Sequence, residues 1–267
     1  MGRVRLSAAR LMCDDLALRR AIGSWEVLVA EEATAAAQMR FDEALARRGR
    51  PTLRLFRWAA PAISLGFRQV PPEWADEARL AAHGVERVER PTGGGIAVHG
   101  SDLSCSVTVP ADARLLLREV MAGVCEGLSE GIRAFGVAVS WQAEVERQGR
   151  IDYCLTEESP YAIMAGRRKL CGLAIRRHPE AWLIQGSLLV RSLPAVFERV
   201  MPPAVLGAFR TRAVSLEEAV GRPVPDHTLI ARLVRAWRIA WGVPVSSYEL
   251  RVSSLTGAVN SKLETRN

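Results

Sequence analysis

The sequence lacks any apolar run close to the roughly 20 residues that a membrane-spanning helix needs, and it has few histidines and cysteines, four and five. Its arginine-rich start has no apolar stretch of the secretory type, and Asp14 and Asp15 disfavour a mitochondrial leader. The cysteines show no C-x-x-C pair and no histidines at zinc-finger spacing, which argues against a metal site. These absences predict a cytoplasmic protein with reduced thiols, no bound metal and no membrane association.

The net charge is positive, +7 at pH 7, which favours an acidic partner. The arginines are spread along the chain, and no block of five or more basic residues occurs. No helix-turn-helix, RNA-recognition or zinc-finger pattern is present, so we expect no nucleic-acid binding. The charge alone leaves two alternatives open, a docking patch for an acidic partner or a surface that is merely rich in arginine.

With 267 residues and 49% hydrophobic content, the chain can bury a large core. Helical patterns cover 33–49, ending at Gly49, then 72–83, then 114–136 with Leu117 on its apolar side, and most of the chain after Leu193. Ser215, with Glu218 as its capping-box partner, and Asp226 are expected N-caps.

Strand patterns cover 25–32, two parts of 52–67 broken at Pro61, 85–90, 95–100, 102–109, 137–142, 161–166, 169–177 and 181–190. The alternation of strands and helices predicts the α+β class, a mixed β-sheet flanked by helices.

The stretch RPTGGGIAVHG, from Arg90 to Gly100, places three glycines between two predicted strands. Each glycine costs backbone entropy on folding, so a triple run is expected to serve a purpose. One interpretation is a hairpin or bulge that needs positive φ. The other is close approach of bare backbone to a ligand. The spacing matches neither the dinucleotide-binding G-x-G-x-x-G nor a P-loop.

Three segments together resemble a known superfamily, that of the lipoate-protein ligases, octanoyltransferases and biotin ligases. Its signature R-x-[ST]-G-G-G/R-A-V-x-H is similar to Arg90, Thr92, Gly93, Gly94, Gly95, Val98 and His99. The downstream segments GRRKLCGLAIRR and LIQGSLLV are similar to its motifs G-[RK]-K-[IV]-x-G-S-A-Q-x-R and L-x-H-G-[ST]-[IL]-L-[LV]. The resemblance implies a biotin/lipoate protein ligase-like catalytic domain in 24–242, with an extension in 1–23 and a tail in 243–267.

Two chemistries occur in that superfamily. Ligases activate lipoate with ATP, whereas octanoyltransferases take octanoyl from acyl carrier protein onto a cysteine and pass it to a lysine of a lipoyl domain. Cys154, followed by Tyr161 after seven residues and Lys169 after fifteen, resembles the cysteine-dependent octanoyltransferases. The resemblance implies that Cys154 and Lys169 are catalytic.

The residue types suit that chemistry. A thioester donor is already activated, so the enzyme needs a thiolate, an apolar slot and oxyanion donors, but no cofactor. A neighbouring ammonium lowers a thiol pKa below its usual ~8.5, and Lys169 is a candidate for that task or for holding the acyl carbonyl. His99 is either a structural group or a helper that removes a proton from the incoming lysine. The resemblance implies that substrate is bound by Arg90, Thr92, Gly93, Gly94, Gly95, His99, Gly172, Ala174 and Gly186.

Three positions depart from the superfamily motifs. Leu173 and Ile175 replace the usual serine and glutamine, and Gln185 replaces a histidine. Two alternatives therefore stay open. One is a ligase catalytic subunit that uses ATP and Mg and lacks the C-terminal domain, and the other is a catalytically degenerate paralogue. The preferred interpretation is an octanoyltransferase of lipoate biosynthesis, with octanoyl-acyl carrier protein as donor and lipoyl domain proteins such as the glycine-cleavage H protein as acceptors.

Overall fold

The computed structural model describes residues 25–113, 115–144, 151–242 and 251–253. The predicted extension 1–23 lies outside these residues, as does the predicted tail apart from 251–253, and the domain boundaries stay predictions. No helix in the described part is long and apolar enough to cross a membrane.

Strands and helices alternate along the chain. The strands are β1 (Glu26–Ala30), β2 (Thr52–Phe56), β3 (Ala62–Leu65), β4 (Glu86–Glu89), β5 (Ala97–His99), β6 (Asp102–Pro110), β7 (Ile163–Ala165), β8 (Arg168–Arg177), β9 (Ala181–Leu189) and β10 (Arg251–Ser253). The helices are α1 (Ala35–Arg48), α2 (Glu77–Ala81), α3 (Leu117–Arg133), α4 (Phe197–Val200), α5 (Pro203–Arg212), α6 (Leu216–Val220) and α7 (Asp226–Ala240).

The strands form two sheets. The larger has the order β10-β1-β2-β6-β9-β8-β7, with parallel pairing from β10 to β2 and antiparallel pairing from β2 to β7. In the smaller sheet, β3 lies between β4, which is parallel to it, and β5, which is antiparallel. The predicted α+β class with a mixed, helix-flanked sheet is confirmed.

Strand β6, at the centre of the large sheet, shows how the sequence makes two unlike faces. Leu103, Cys105 and Val107 join the main hydrophobic core, to which α3 and α7 also contribute. Ser104 and Ser106 are buried on the opposite face, since successive side chains of a strand alternate. This polar face lies under α1, whose side chains it contacts through hydrogen bonds.

Helix α1 is fixed over the sheet by a buried ion pair. Arg54 of β2 donates to Asp42 of α1 at 2.6 Å, and both side chains are fully buried. Ser106 of β6 donates to the same carboxylate oxygen at 2.7 Å. The helix ends at Gly49, as predicted. These contacts place one side of α1 over the strands that carry the site.

Two local predictions before β7 are wrong. The helix predicted for 72–83 is divided, because the side chain of Asp76 accepts from the Arg79 N–H and starts α2 there. A short 3-10 helix, Glu73–Ala75, precedes it. The segment 137–142 forms only an isolated bridge, from Ser140 to Met164, instead of a strand.

Further corrections concern the helices and the last strand. Leu117 of α3 is exposed instead of buried. Asp226 is the first residue of α7 and does not cap it; its carboxylate binds Arg57 and Arg191. Ser215 does cap α6. Strand β10 pairs with β1, and its three residues are too few to leave an alternation pattern in the sequence.

Candidate active site

A pocket opens on the polar face of the large sheet, between α1 and the small sheet. It encloses about 350 Å³, including its open mouth. The lining combines apolar side chains with two thiols, a guanidinium and an imidazole, a composition typical of a small-molecule site. The residues of its wall are Met39, Phe56, Trp58, Ser64, Arg90, Ala97, His99, Ser104, Cys105, Cys154, Gly172, Ala174, Gln185, Gly186 and Ser187.

Cys154 lies in the segment that precedes β7, and backbone hydrogen bonds attach this segment to the end of the glycine turn. The Ile96 N–H donates to the Asp152 carbonyl at 2.7 Å, and the Cys154 N–H donates to the Ile96 carbonyl at 2.8 Å. The sulfur lies against Gly172 of β8, where an added Cβ would be 2.4 Å from Sγ. The thiol is therefore held at the pocket wall beside a residue that has no side chain.

The glycine run is explained by the same close approach. A Cβ on Gly95 would be 2.6 Å from the backbone of Asp152, in the Cys154 segment. Gly94 has φ 86°, in the left-handed region that favours glycine. The hairpin interpretation is wrong, because β4 and β5 on either side of the turn both pair with β3 and not with each other. The bare backbone of Gly95 thus admits the segment that carries the thiol.

Arg90 holds the turn from within the fold. Its Nη2 donates to the carbonyls of Gly93 at 2.6 Å and Gly95 at 2.7 Å, and its Nη1 donates to the Ser64 carbonyl at 3.0 Å. Burial lowers the pKa of Arg90, and the negative charge of a Cys154 thiolate opposes that shift. Because a guanidinium stays charged in proteins, Arg90 places a positive charge near the thiol.

Lys169 is buried, with 2% of its surface exposed, and its ammonium faces the backbone of the Cys154 segment. Nζ donates to the Cys154 carbonyl at 2.7 Å, to the Glu157 carbonyl, and to Ser159 Oγ at 2.9 Å. The two predicted catalytic residues are thus brought together, and the amine of Lys169 contacts the backbone carbonyl of Cys154. Lys169 stands behind the pocket wall.

Cys154 differs from the other cysteines in the described part of the chain. Cys105, Cys125 and Cys171 are buried. Burial raises the pKa of the Cys105 thiol to about 12 and that of the Cys125 and Cys171 thiols far above the usual range. Cys154 is half-buried. Because the thiolate is the nucleophilic form of cysteine, Cys154 is the candidate nucleophile.

His99 lines the pocket as part of a chain of polar side chains. Its Nδ1 lies 2.9 Å from Asp102 Oδ2, and its Nε2 lies 2.8 Å from Ser64 Oγ. Trp58 stacks on the imidazole, with 3.9 Å between ring centroids. The sequence reasoning missed Ser64, Asp102 and Trp58. The available signal was the spacing His-x-x-Asp across the turn from β5 to β6.

The departures at 173 and 175 lie away from the pocket. Leu173 belongs to the main hydrophobic core, and Ile175 packs against it. Gly172, which precedes Leu173, and Ala174, which lies between Leu173 and Ile175, line the pocket, because side chains alternate along a strand. These two substitutions therefore change the core and leave the pocket wall as it is.

The departure at Gln185 does reach the pocket wall. Its Nε2 donates to Asp42 Oδ2 at 2.6 Å, and its Oε1 accepts from Thr92 Oγ1 at 2.7 Å. The glutamine thereby connects the glycine turn to α1 and to the buried Arg54. It acts as a structural bridge at the place where the superfamily motif has a histidine.

The predicted site residues fall into two groups. Those in the pocket wall are Cys154, Arg90, His99, Gly172, Ala174 and Gly186. Those behind it are Lys169, Thr92, Gly93, Gly94 and Gly95, which contact residues of the wall or its supporting backbone.

Comparison with known proteins identifies the family. Residues 30–238 match the model of the lipoyl protein ligase A/B catalytic domain. An octanoyltransferase LipM of Symbiobacterium thermophilum is 31% identical over 223 residues, covering 75% of this chain and 80% of the relative. Another, of Exiguobacterium sibiricum, is 30% identical over 241 residues, covering 82% of this chain and 87% of the relative.

Solved structures show the same fold. A lipoate-protein ligase A bound with ATP superposes with a TM-score of 0.69 at 21% identity, covering 88% of this chain and 90% of that one. A putative lipoate protein ligase from T. acidophilum with bound lipoic acid has a TM-score of 0.67 at 20% identity, covering 87% and 90%. With the fold, the family model and the curated relatives in agreement, the chain belongs to the lipoyl protein ligase A/B catalytic domain family.

Proposed function

We propose that this chain moves octanoyl from octanoyl-acyl carrier protein to a lysine of a lipoyl carrier domain, such as the glycine-cleavage H protein, through a thioester at Cys154. The enzyme class is that of the curated relatives, which confirms the predicted octanoyltransferase. The observation that carries the assignment of the nucleophile is the pocket, where Cys154 is the half-buried thiol.

In the first step, the Cys154 thiolate attacks the thioester carbonyl of the donor. A C–S bond to Cys154 forms, the C–S bond of the donor breaks, and the carrier sulfur leaves with the electron pair. The donor is already activated, so this step needs no ATP. The guanidinium of Arg90 places a positive charge near the Cys154 sulfur.

Lys169 is assigned two contributions. Through its hydrogen bonds to the carbonyls of Cys154 and Glu157, it fixes the segment that presents the sulfur. Through its charge, it favours negative charge on the thiol and on the oxyanion that forms beside it. We therefore treat Lys169 as a residue that positions and polarises the thiol from behind the wall.

The apolar part of the wall suits the octanoyl chain. Met39, Phe56 and Trp58 line the pocket, and each buried CH₂ of a ligand contributes about 0.8 kcal/mol. In the second step, the lysine amine of the lipoyl domain attacks the acyl carbonyl. The C–N bond forms, the C–S bond breaks, and the Cys154 sulfur is released for another cycle.

Intact-mass measurement tests this proposal. The chain is incubated with octanoyl-acyl carrier protein, with and without ATP, and we expect a gain of one octanoyl group without ATP. Cys154→Ser abolishes the gain. Cys171→Ser, at a buried thiol outside the pocket wall, retains it. Subsequent addition of a lipoyl domain moves the octanoyl group to its lysine.

Two other outcomes contradict the proposal. ATP-dependent attachment of free lipoate that survives Cys154→Ser identifies a ligase subunit instead. Binding of the acyl donor with no adduct and no transfer identifies a paralogue without this activity.

A further inference from the structure

Ser64, His99 and Asp102 form one continuous hydrogen-bonded chain in the pocket. Ser64 Oγ lies 2.8 Å from His99 Nε2, and His99 Nδ1 lies 2.9 Å from Asp102 Oδ2. Ser64 and His99 line the same pocket as Cys154. His99 ends β5 and Asp102 begins β6 three residues later, so their contact is local, whereas Ser64 comes from β3 and reaches His99 only through the fold.

The direction of each hydrogen bond follows from its partners. Because a carboxylate only accepts, Asp102 holds the single ring proton on Nδ1 when the imidazole is neutral, and Nε2 is then an acceptor. The Ser64 hydroxyl donates to that lone pair while its oxygen accepts from Arg90 Nη1 at 3.3 Å. His99 is thereby set to receive a proton through Ser64.

Further hydrogen bonds and one ring contact hold the Asp102 carboxylate and the His99 imidazole in place. Ser104 and Ser187 donate to Asp102 Oδ2 at 2.7 and 2.8 Å. Trp58 stacks on the imidazole and donates its indole N–H to Ser104 at 2.9 Å. A carboxylate that orients a neutral imidazole and stabilises its protonated form is the arrangement of general-base sites.

We propose that Ser64 and His99 take the proton from the acceptor lysine during the second step, and that Asp102 is the positioning residue that keeps His99 ready for it. The proposal rests on the proposed function, because it assigns the base for deacylation of Cys154. The ammonium of a lysine has a pKa of ~10.4 in water, so it must lose a proton before its nitrogen can attack the acyl carbonyl.

The step balances as follows. The acceptor lysine enters as an ammonium, and one of its protons passes to Ser64 Oγ as the Ser64 hydroxyl proton moves to His99 Nε2. The neutral amine nitrogen then forms the C–N bond, and the C–S bond breaks with its electrons going to the Cys154 sulfur. The proton that is surplus on nitrogen passes to that sulfur, which leaves as the thiol. The imidazolium is stabilised by Asp102 and returns its proton to solvent after the product leaves.

The test separates loading from transfer. His99→Gln, Asp102→Asn and Ser64→Ala are loaded with octanoyl from octanoyl-acyl carrier protein, and loss of the adduct is followed by intact mass after addition of a lipoyl domain. In parallel, the adduct is released with hydroxylamine, a small nucleophile that is uncharged at pH 7. His83→Gln, an exposed histidine outside the pocket, is the matched control.

We expect all three variants to form the octanoyl adduct. Transfer to the lipoyl lysine falls by about 100-fold or more in His99→Gln, and it falls in the same direction in the other two, while release by hydroxylamine stays close to the wild-type rate. His83→Gln behaves as wild type in both assays.

Two results overturn the relay. One is normal transfer to lysine by His99→Gln or Asp102→Asn. The other is an equal loss in the lysine and hydroxylamine assays, which indicates that the three residues only shape the pocket. Failure of the wild-type chain to form any adduct contradicts the proposed function instead, so the two failures are distinguishable.

Discussion

The ammonium of Lys169 lies 2.7 Å from the backbone carbonyl oxygen of Cys154. The same nitrogen donates to the Glu157 carbonyl and to Ser159 Oγ, so one buried cation holds three acceptors of the segment that carries the thiol. Because these acceptors belong to the segment that carries the sulfur, the position of the thiol depends on the amine. Lys169 therefore both fixes the position of the Cys154 segment and places a positive charge near it.

Lys169→Met removes this cation and leaves three buried acceptors without their donor. We expect the free energy of unfolding to fall by about 2 kcal/mol or more, and the rate at which Cys154 is octanoylated to fall as well. Denaturant unfolding and single-turnover mass measurements check the two effects. Arg167→Met, at an exposed position of the preceding turn, is the control and should change neither quantity.

Gly172→Ala tests whether the sulfur needs the bare backbone beside it. The added Cβ would be 2.4 Å from Cys154 Sγ, so the thiol must move from its present place. We expect loss of most octanoylation with the far-UV circular dichroism spectrum retained. Gly207→Ala, in α5 where an added Cβ meets nothing within 4 Å, should keep full activity. Unchanged loading of Gly172→Ala would contradict the placement of the thiol.

The sequence predicts most elements of the fold because long alternating or helical patterns produce them, as in β6, β9 and α1. At the glycine turn it leaves two interpretations open, and the hairpin is the wrong one, because the partner of both β4 and β5 is β3, which comes earlier in the chain. Local patterns indicate that a strand exists. They do not indicate which neighbour it will bind.

At the site too, the sequence indicates which residues take part but not which partners they contact. Cys154 is singled out by a motif, and so is Lys169, one of only two lysines in a chain that otherwise uses arginine. The contact of Lys169 with the carbonyl of residue 154 and the contact of Ser64 with His99 depend on tertiary packing between segments that are distant in the sequence. Residue types at the site were predictable, whereas their hydrogen-bond directions were not.

The free energy of unfolding at acid pH should show the lowered pKa of Asp102. Burial acts to raise the pKa of this carboxyl, but the charge and hydrogen bond of His99, with hydrogen bonds from Ser104 and Ser187, outweigh burial and lower the pKa to about 2. An unfolded aspartate titrates near ~3.9. Because the folded pKa is the lower one, the stabilisation is complete above that pH and is lost as the pH falls towards 2.

We expect this one group to account for about 2 kcal/mol of the decrease in unfolding free energy between pH 4 and pH 2. Urea unfolding at several pH values measures it. The Asp102→Asn variant should lack this part of the decrease, whereas Asp112→Asn, at an exposed aspartate, should follow the wild-type curve. Parallel curves for wild type and Asp102→Asn would contradict a lowered pKa at Asp102.

Arg54→Met tests the ion pair that fixes α1 over the sheet. The substitution leaves the fully buried carboxylate of Asp42 without its cation, and breaking a buried pair costs about 3–5 kcal/mol. Octanoylation should also slow, because Asp42 holds Gln185, which binds Thr92 of the glycine turn.

Two comparisons make this last test specific. Arg47→Met breaks the exposed pair with Glu43 and should leave the free energy of unfolding close to that of the wild type. The double variant Asp42→Leu/Arg54→Met removes both charges and should be less destabilised than Arg54→Met alone, because no uncompensated charge remains in the interior. If the double variant loses as much as Arg54→Met and the single variant Asp42→Leu lose in sum, the two residues act independently and the pair does not fix the helix.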